Sequence, residues 1–412
     1  MKLHKHLIEK IIQALLQIFN STSFADKVIE KFMKANKKWG ARDRKLFAET
    51  VYEIVRYRRR YWNLAGLDDD NYLIQEKNSE FEMWKMWLAY IAEKEWEVPD
   101  WMYSDYEYIM DDVSDEPKNL KKLSFTVSES YPDWLYQYFK TQFQDSAETV
   151  MKSLNEMAQI YLRVNTLKTT PVDLMQELQK EGVNSKRVRK VETALELVDR
   201  KNVFITKAFK DGLFEVQDVS SQMIGELLSV SPGMRVVDAC AGAGGKSLHL
   251  AAIMKNKGKI ISLDLHEWKL KELRKRASRN SVDIIEVKVI ESLKTIKRLE
   301  KSFDRVLLDV PCSGSGVIRR NPDKKWKLTS EEIDHLIQVQ KDILDQYKSM
   351  MKDGGKLVYS TCSLFPEENE LQIQRFLKEN PNWKLEKEIK IFPHVQGFDG
   401  FYGARLTLLP QS

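Results

Sequence analysis

Cysteine is scarce in this 412-residue chain, which contains three cysteines and no Cys-x-x-Cys pair. This usage excludes a disulfide-stapled fold and a zinc knuckle and suits a reducing compartment, so we expect a cytoplasmic protein without a metal. Long apolar runs are also missing, and none approaches the roughly 20 residues that cross a bilayer. Because Glu9, Lys10 and Gln13 interrupt the first apolar stretch, that stretch does not have the pattern of a secretory signal, and we expect no membrane association.

The chain also lacks a strong overall charge, with a formal net value of +5, but its charges are unevenly distributed. Residues 1–62 hold 15 Lys and Arg against 6 Asp and Glu, whereas residues 63–125 hold 6 against 16. The segment 56–62 (RYRRRYW) interleaves cations with aromatic rings, a composition that suits RNA binding by phosphate contact and stacking. Mutual neutralisation of the two halves of one helical domain explains the asymmetry equally well.

The spacing of apolar residues predicts that the chain has three parts. Residues 1–125 show helical spacing without strand alternation, and the polar stretch 111–122 (DDVSDEPKNLKK) indicates a linker. Residues 126–215 mix helices with short strands and indicate a small α/β module. In residues 216–412 apolar strands alternate with helices, which predicts a mostly parallel, Rossmann-like α/β sheet with helices on both faces. Ligands of such sheets bind at the carboxyl ends of the strands.

All three cysteines lie at these predicted strand ends. Cys240 follows MRVVDA, Cys312 follows FDRVLLDV, and Cys362 follows GKLVYST. None falls within the first 239 residues. Their placement indicates covalent cysteine chemistry beside a nucleotide-like cofactor.

A glycine turn, CAGAGGKS, joins the first of these strands to a helix, and three interpretations compete. A phosphate-binding loop needs glycine at the position of Cys240, although Gly245, Lys246 and Ser247 match the rest of that motif. A dinucleotide fingerprint needs a third glycine where Ser247 stands. An S-adenosylmethionine site needs the tight turn and a carboxylate at the end of the next strand, and Asp264 supplies one. A plain strand-end carboxylate is the alternative for Asp264, and we favour the cofactor site.

Several stretches together resemble the Sun/Fmu (RsmB-like) family of RNA cytosine-C5 methyltransferases. They are DACAGAGGKS, DRVLLDVPCSGSGVIRRNPDKKW, GKLVYSTCSLFPEENE and GFDGFYGARL, with LRVNTLK and FEVQDVSSQ before them, so the resemblance covers about residues 130–412. The paired Pro-Cys and Thr-Cys motifs are highly specific. Residues 1–125 more weakly resemble the NusB-like helical RNA-binding domain of bacterial members. We expect the small α/β module of residues 126–215 to be RRM-like.

The resemblance implies covalent catalysis. A thiolate adds to cytosine carbon 6, so that carbon 5 becomes able to take a methyl group. Cys362 is implied as this nucleophile, Cys312 as the residue that helps to break the adduct, and Asp309 as the partner of ring nitrogen 3. Lys246 either holds the pyrimidine O2 or orients Asp309, and a plain neutralising role is its alternative.

The resemblance also implies S-adenosylmethionine as cofactor and RNA as partner. We expect the cofactor to be held by Cys240, Ala241, Gly242, Ala243, Gly244, Gly245, Lys246, Asp264, Glu291 and Asp309. Glu291 departs from the family, which has an aspartate there. We expect RNA contacts from Arg319, Arg320, Lys324, Lys325, Trp326, Arg56, Arg58 and Arg59, for which a solvated basic surface is the alternative.

The sequence therefore predicts an S-adenosylmethionine-dependent RNA cytosine-C5 methyltransferase, with small-subunit (16S) rRNA as the substrate implied by the resemblance. A tRNA methyltransferase is the nearest alternative. A nucleotide hydrolase and a non-catalytic RNA-binding assembly factor are alternatives from other classes. The modified cytidine, the form of RNA bound and the oligomeric state stay open.

Overall fold

The computed structural model describes residues 3–68, 72, 78–110 and 123–409. It forms two compact units, one of residues 1–156 with 318–328 and one of residues 157–317 with 329–412. The three-part division at residues 125 and 215 stays a prediction, and the predicted linker lies outside the described residues. No helix in the described ranges is long and apolar enough to span a membrane.

Ten helices precede the first strand in the described chain, and helices and strands are interspersed after it. The helices are α1 Lys5–Phe19, α2 Ala25–Ala35, α3 Ala41–Arg56, α4 Arg58–Leu64, α5 Glu80–Glu93, α6 Asp100–Asp105, α7 Glu107–Met110, α8 Phe125–Ser128, α9 Asp133–Phe143, α10 Ala147–Asn155, α11 Pro171–Lys180, α12 Lys207–Lys210, α13 Val219–Leu227, α14 Gly245–Ile253, α15 Glu267–Arg279, α16 Leu293–Lys297, α17 Lys324–Lys327, α18 Ser330–Tyr347, α19 Glu370–Glu379 and α20 Pro393–Gln396. The strands are β1 Tyr161–Val164, β2 Ser185–Arg187, β3 Ala194–Leu197, β4 Phe214–Val216, β5 Arg235–Asp238, β6 Lys259–Asp264, β7 Ile285–Val289, β8 Phe303–Asp309, β9 Met351–Thr361, β10 Trp383–Ile391 and β11 Phe401–Leu408.

The first unit is helical, as its apolar spacing predicts. Helix α5 begins at a capping box, in which Ser79 Oγ accepts from the Glu82 N–H and the Glu82 carboxylate accepts from the Ser79 N–H at 2.7 Å. The apolar faces of α1, α3 and α5 meet in one core that contains the fully buried rings of Trp84 and Trp87. Helical packing therefore buries the aromatic residues of this unit.

The second unit contains two sheets. The smaller is antiparallel with the order β2-β3-β1-β4, and α11 helps to cover it. The larger has the order β10-β11-β9-β8-β5-β6-β7, in which β5 to β9 pair in parallel and β11 runs antiparallel to β9. The predicted Rossmann-like α/β class, with a small α/β module and a helical amino-terminal part, is confirmed.

A short segment that follows the second cysteine motif, residues 318–328, belongs to the helical unit. Within it the Lys325 side chain is fully buried. Its Nζ donates to Arg56 O at 2.7 Å and to Asn155 Oδ1 at 2.9 Å, and it lies 4.3 Å from the centroid of the Tyr131 ring. Burial lowers the pKa of Lys325 well below its ordinary value. This amine therefore anchors the segment inside the first unit.

Some of the residues from which we expected RNA contacts are buried. For these residues the expectation is corrected, because a buried cation is not available to phosphate. Arg59 is 5% exposed and its Nη1 donates to Asp133 Oδ1 at 2.7 Å. Arg56 donates to Asn155 O and to Arg319 O, each at 3.1 Å. The buried residues of the set are Arg58, Arg59, Arg319 and Lys325. Arg56 and Trp326, whose Nε1 donates to Val55 O, are half-buried and stay candidates for RNA contact.

Replacement of Lys325 by methionine tests this anchoring role. Methionine preserves most of the side-chain volume but leaves the oxygens of Arg56 and Asn155 without their donor, so we expect the free energy of unfolding to fall by about 2 kcal/mol. Urea unfolding followed by circular dichroism measures the change. Lys37→Met, at an exposed position of the same unit, is the control and should unfold like the unsubstituted protein. Equal stability of the two variants contradicts the role.

Candidate active site

Three adjacent strands bring the predicted catalytic residues together. β5, β8 and β9 are neighbours and parallel, so Cys240, Cys312 and Cys362 all follow carboxyl ends at one edge of the sheet. Asp309, the last residue of β8, pairs in register with Ser360 of β9. The Sγ atoms of Cys312 and Cys362 lie 3.4 Å apart. Two cysteines 50 positions apart in sequence thus lie side by side at one candidate site.

An ion pair between the buried Lys246 and the partly exposed Asp309 lies in the same place. Lys246 Nζ donates to Asp309 Oδ2 at 2.5 Å, and Ser360 Oγ donates to Asp309 Oδ1 at 3.0 Å. Burial opposes the charge of Lys246, but attraction and hydrogen bonding to Asp309, with smaller contributions from Asp238 and Cys362, raise its pKa above the ordinary value. Lys246 is therefore a cation that fixes the orientation of the Asp309 carboxylate. Of its two predicted roles, this contact favours the second.

Phe401, at the start of β11, also lines this site and was missed by the sequence reasoning. Its ring lies 5.3 Å from Lys246 Nζ, within the range of a cation–π contact. Nearby, Gly316 N donates to Cys362 O at 3.0 Å, and Gly400 N donates to Gly316 O at 2.8 Å. A Cβ on Gly316 would lie 2.3 Å from Gly400 O, so this close approach of backbones requires glycine. Phe401 and Gly400 lie in the stretch GFDGFYGARL, which contributed to the resemblance but was not assigned a role.

The glycine turn has the geometry of a cofactor cradle. Gly242 and Gly244 have φ values of +54° and +84°, and the space above Gly242 is open. Asp264 accepts from Gly242 N at 2.9 Å and from His266 N at 2.8 Å. These bonds hold the carboxylate at the edge of the turn and leave lone pairs for the hydroxyls of a ribose. The residues of the turn and Asp264 thus fit S-adenosylmethionine.

The remaining cofactor candidates lie around this turn. Ile290 N donates to Asp264 O at 3.0 Å, which places the exposed Glu291 just beyond the same strand edge. Leu265 is 67% exposed next to Asp264 and offers an apolar surface that the sequence reasoning missed. An exposed leucine beside a strand-end carboxylate suits the face of an adenine ring.

The phosphate-loop interpretation does not fit these contacts. Ser247 Oγ, which would bind a magnesium ion in such a loop, is buried and donates to Asp238 Oδ2 at 2.6 Å. Lys246, which would reach a phosphate, pairs with Asp309. Both groups are committed to the interior of the fold.

Asp238 is a further buried carboxylate that the sequence reasoning missed, although it ends the strand just before Cys240. Burial, followed by the charge of Asp309, raises the pKa of Asp238 to about 6 against the hydrogen bond from Ser247. Burial and the carboxylates of Asp238 and Asp309 also raise the pKa of Cys240 far above the ordinary thiol value. Cys240 is therefore poorly suited to act as a thiolate.

The small sheet supports this turn through one buried arginine. Arg163 of β1 is 2% exposed, and its Nη1 donates to Gln217 Oε1 at 2.8 Å and to Gly245 O at 2.6 Å. The second bond reaches the first residue of α14, directly before Lys246. The LRVNT stretch that contains Arg163 contributed to the resemblance without an assigned role.

Comparison with known proteins places this site in a family. The protein-family model for 16S rRNA methyltransferase RsmB/F matches residues 226–407. The family model for the RsmF/B-like ferredoxin-like domain matches residues 131–204. A probable ribosomal RNA small subunit methyltransferase B of Synechocystis is 33% identical over 319 residues, 71% of each chain. A protein of the same description from Bacillus subtilis is 34% identical over 66% of this chain and 65% of its own.

The chain belongs to the RsmB/F methyltransferase family. The crystal structure of PH0851 has a TM-score of 0.79, 27% identity, and coverage of 98% of this chain and 99% of its own. The predicted family and the cofactor, S-adenosylmethionine, are confirmed. At the level of an S-adenosylmethionine-dependent rRNA methyltransferase, the predicted enzyme class is confirmed too.

Asp238 makes stability depend on pH in a defined direction. Because its folded pKa of about 6 exceeds the ordinary value of 3.8, folding disfavours the ionised form. This cost is absent below about pH 4, grows as pH rises, and is complete above about pH 6. We expect Asp238→Asn to increase the free energy of unfolding by up to about 3 kcal/mol at pH 7.5, and by little at pH 4.

Urea unfolding at a series of pH values measures this dependence. Asp304→Asn is the control with the opposite sign. Partial burial raises the pKa of Asp304, but hydrogen bonds from Arg235 N and Lys352 outweigh this effect, so the pKa is lowered. A gain for Asp238→Asn that does not change with pH contradicts the expectation.

Proposed function

We propose that this protein transfers a methyl group from S-adenosylmethionine to carbon 5 of a cytidine in RNA through a covalent adduct with Cys362. The observation that carries the proposal is the pair of thiols 3.4 Å apart, beside the lysine–aspartate ion pair at the edge of the cofactor cradle. A methyltransferase acting at an already nucleophilic atom needs no second thiol. Two adjacent thiols suit a reaction in which one bond to sulfur is made and later broken.

In this mechanism each side chain has a separate task. The Cys362 sulfur bonds to carbon 6 of the base, and the electron pair displaced toward carbon 5 makes that carbon nucleophilic. S-adenosylmethionine, when bound, would supply the methyl group from its positively charged sulfonium sulfur, which would keep the electron pair of the broken bond as a neutral thioether. The Cys312 thiolate then accepts the carbon-5 proton, the electron pair of that C–H bond restores the double bond between carbons 5 and 6, and the carbon–sulfur bond breaks so that Cys362 leaves as a thiolate. The ring becomes aromatic again and the enzyme is restored.

Asp309 is the hydrogen-bond partner of ring nitrogen 3, which becomes more basic when the Cys362 sulfur adds to carbon 6. Its Oδ2 and Oδ1 accept from Lys246 and Ser360, so the carboxyl group is held in one orientation at the end of β8. From there it faces nitrogen 3 as the hydrogen-bond partner, while Lys246 supplies positive charge. Preorganisation of this kind lowers the cost of charge development in the transition state.

The cofactor is held in this proposal by the backbone of residues 240–245 and by the carboxylates of Asp264 and Glu291. Small-subunit rRNA is the proposed substrate, since relatives at 33–34% identity carry that substrate in their names. The remaining candidates for RNA contact keep partly exposed side chains and are Arg56, Arg320, Lys324 and Trp326. We also propose a cytoplasmic location, where this substrate is made.

Substitution of the two cysteines and Asp309 tests the chemistry. Cys362→Ala removes the nucleophile and should abolish 5-methylcytosine formation. Asp309→Ala should reduce kcat by about 10²- to 10⁴-fold, the range for a lost acid–base group. Cys312→Ala should leave a covalent RNA–protein adduct that persists on denaturing gels, because the release step is impaired.

Bisulfite sequencing of rRNA and tRNA after reaction identifies the product and separates the two substrate classes. Asp304→Ala is the matched control, because it removes a carboxylate from the opposite end of the same strand, and it should retain 5-methylcytosine formation. Normal methylation by Cys362→Ala contradicts the proposal. Binding of ATP in place of S-adenosylmethionine favours the nucleotide hydrolase, and cofactor binding without methyl transfer in a single turnover favours the assembly factor.

A further inference from the structure

Glu368 is a buried carboxylate that lies six residues after Cys362 in the same motif. It has no exposed surface and ends a short 3₁₀ turn, Pro366–Glu368. Its backbone is fixed as well, since Tyr359 Oη donates to Glu368 O at 2.6 Å. Burial of a carboxylate is costly unless several donors satisfy it, so its partners indicate what it stabilises.

Those partners come from both cysteine loops. Ser313, directly after Cys312, donates its N–H to Glu368 Oε1 at 2.8 Å and its Oγ to Oε2. Ser363, directly after Cys362, donates its Oγ to the same Oε2. One carboxylate group therefore joins the two residues that follow the two thiols.

A second link runs through α18. Gln340 is fully buried, and its Nε2 donates to Glu368 Oε1 at 2.8 Å and to Pro311 O at 3.0 Å. Pro311 directly precedes Cys312. The Cys312 loop is thus bound on both sides of the thiol to a network centred on Glu368.

Hydroxyl and backbone contacts complete the link between the loops. Ser315 Oγ lies 3.1 Å from Ser363 Oγ and accepts from Leu364 N at 2.8 Å. Gly316 N donates to Cys362 O at 3.0 Å. Each of these bonds joins one residue of the Cys312 loop to one of the Cys362 loop, whereas the carboxylate of Glu368 receives donors from both loops at once.

We propose that Glu368 is a positioning residue that sets the separation of the Cys312 and Cys362 thiols and thereby couples formation of the RNA adduct to its release. The inference rests on the proposed function, since it assigns both thiols to successive steps at one base. It assigns no contact with substrate to Glu368, which acts through Ser313 and Ser363. Displacement of either thiol by about 1 Å is enough to cost on the order of 10²-fold in rate.

The carboxylate is specifically suited to this task. Each of its two oxygens receives two donors, so all four described donors are satisfied. Glutamine at this position keeps the volume but replaces one acceptor oxygen by an NH₂ donor that would face a serine hydroxyl or the Ser313 and Gln340 N–H groups. Glu368→Gln therefore disturbs the link between the loops with a minimal change in packing.

The test uses purified full-length protein with small-subunit rRNA and S-adenosylmethionine. For Glu368→Gln we expect kcat to fall by about 10²-fold, while the KM values for RNA and cofactor stay unchanged. In single-turnover reactions we expect adduct to form slowly and to persist on denaturing gels even though Cys312 is present. Altered partitioning between adduct and product distinguishes positioning from a general loss of folded protein.

Glu370→Gln is the matched control, because Glu370 lies two residues further on and pairs with Lys390 through one bond of 2.7 Å. It should behave like the unsubstituted enzyme. If Glu368→Gln does not fold, Ser313→Ala, Ser363→Ala and the double variant form a cycle in which coupled losses of kcat support the link.

Three outcomes overturn the inference. One is an unchanged kcat and adduct lifetime in Glu368→Gln. Another is a fall in kcat that is fully accounted for by a smaller fraction of folded protein. The third is additive effects of the two serine substitutions. If the unsubstituted enzyme forms 5-methylcytosine while any of these holds, this inference fails and the proposed function survives. If it forms none, the proposed function itself fails.

Discussion

The parallel pairing of β8 with β9 is the constraint on which the rest of the site depends. Because Asp309 is in register with Ser360, the residues that follow these strands emerge side by side at one edge of the sheet. Side chains alternate between the two faces of a strand, so a slip of one residue would exchange the side chains that face the site. The neighbouring strand β5 then carries the cofactor turn to the same edge.

Polar groups buried with their partners give this edge its precision. Lys246 and Asp309 neutralise each other, Arg163 supports the backbone of the turn, and Glu368 joins the two cysteine loops. Such groups are costly to bury and add little net stability, but each is satisfied in a single arrangement only. The proposed reaction, in which the site first bonds a base and then releases it, benefits from that uniqueness more than from additional apolar packing.

Much of the fold was predictable from the sequence alone. Alternating apolar strands and helices predict the parallel sheet, and helical spacing predicts the amino-terminal unit. The positions of Cys312, Cys362 and Asp309 followed from strand ends, because the carboxyl edge of a parallel sheet gathers its ligands. The RNA contacts were less predictable. A run of cations looks the same in sequence whether it faces solvent or, like Arg59 and Lys325, packs inside a core.

By itself the sequence determined the class of the fold, the family, the cofactor turn and the identity of the candidate reacting side chains. These are properties of local pattern and of residue chemistry, which do not depend on distant contacts. Only the tertiary structure decided that two sulfurs 50 residues apart lie 3.4 Å from each other, that Lys246 orients Asp309, and that Glu368 is bound to both loops. Distances, burial and hydrogen-bond partners arise when separate segments pack together, and spacing along a chain does not encode them.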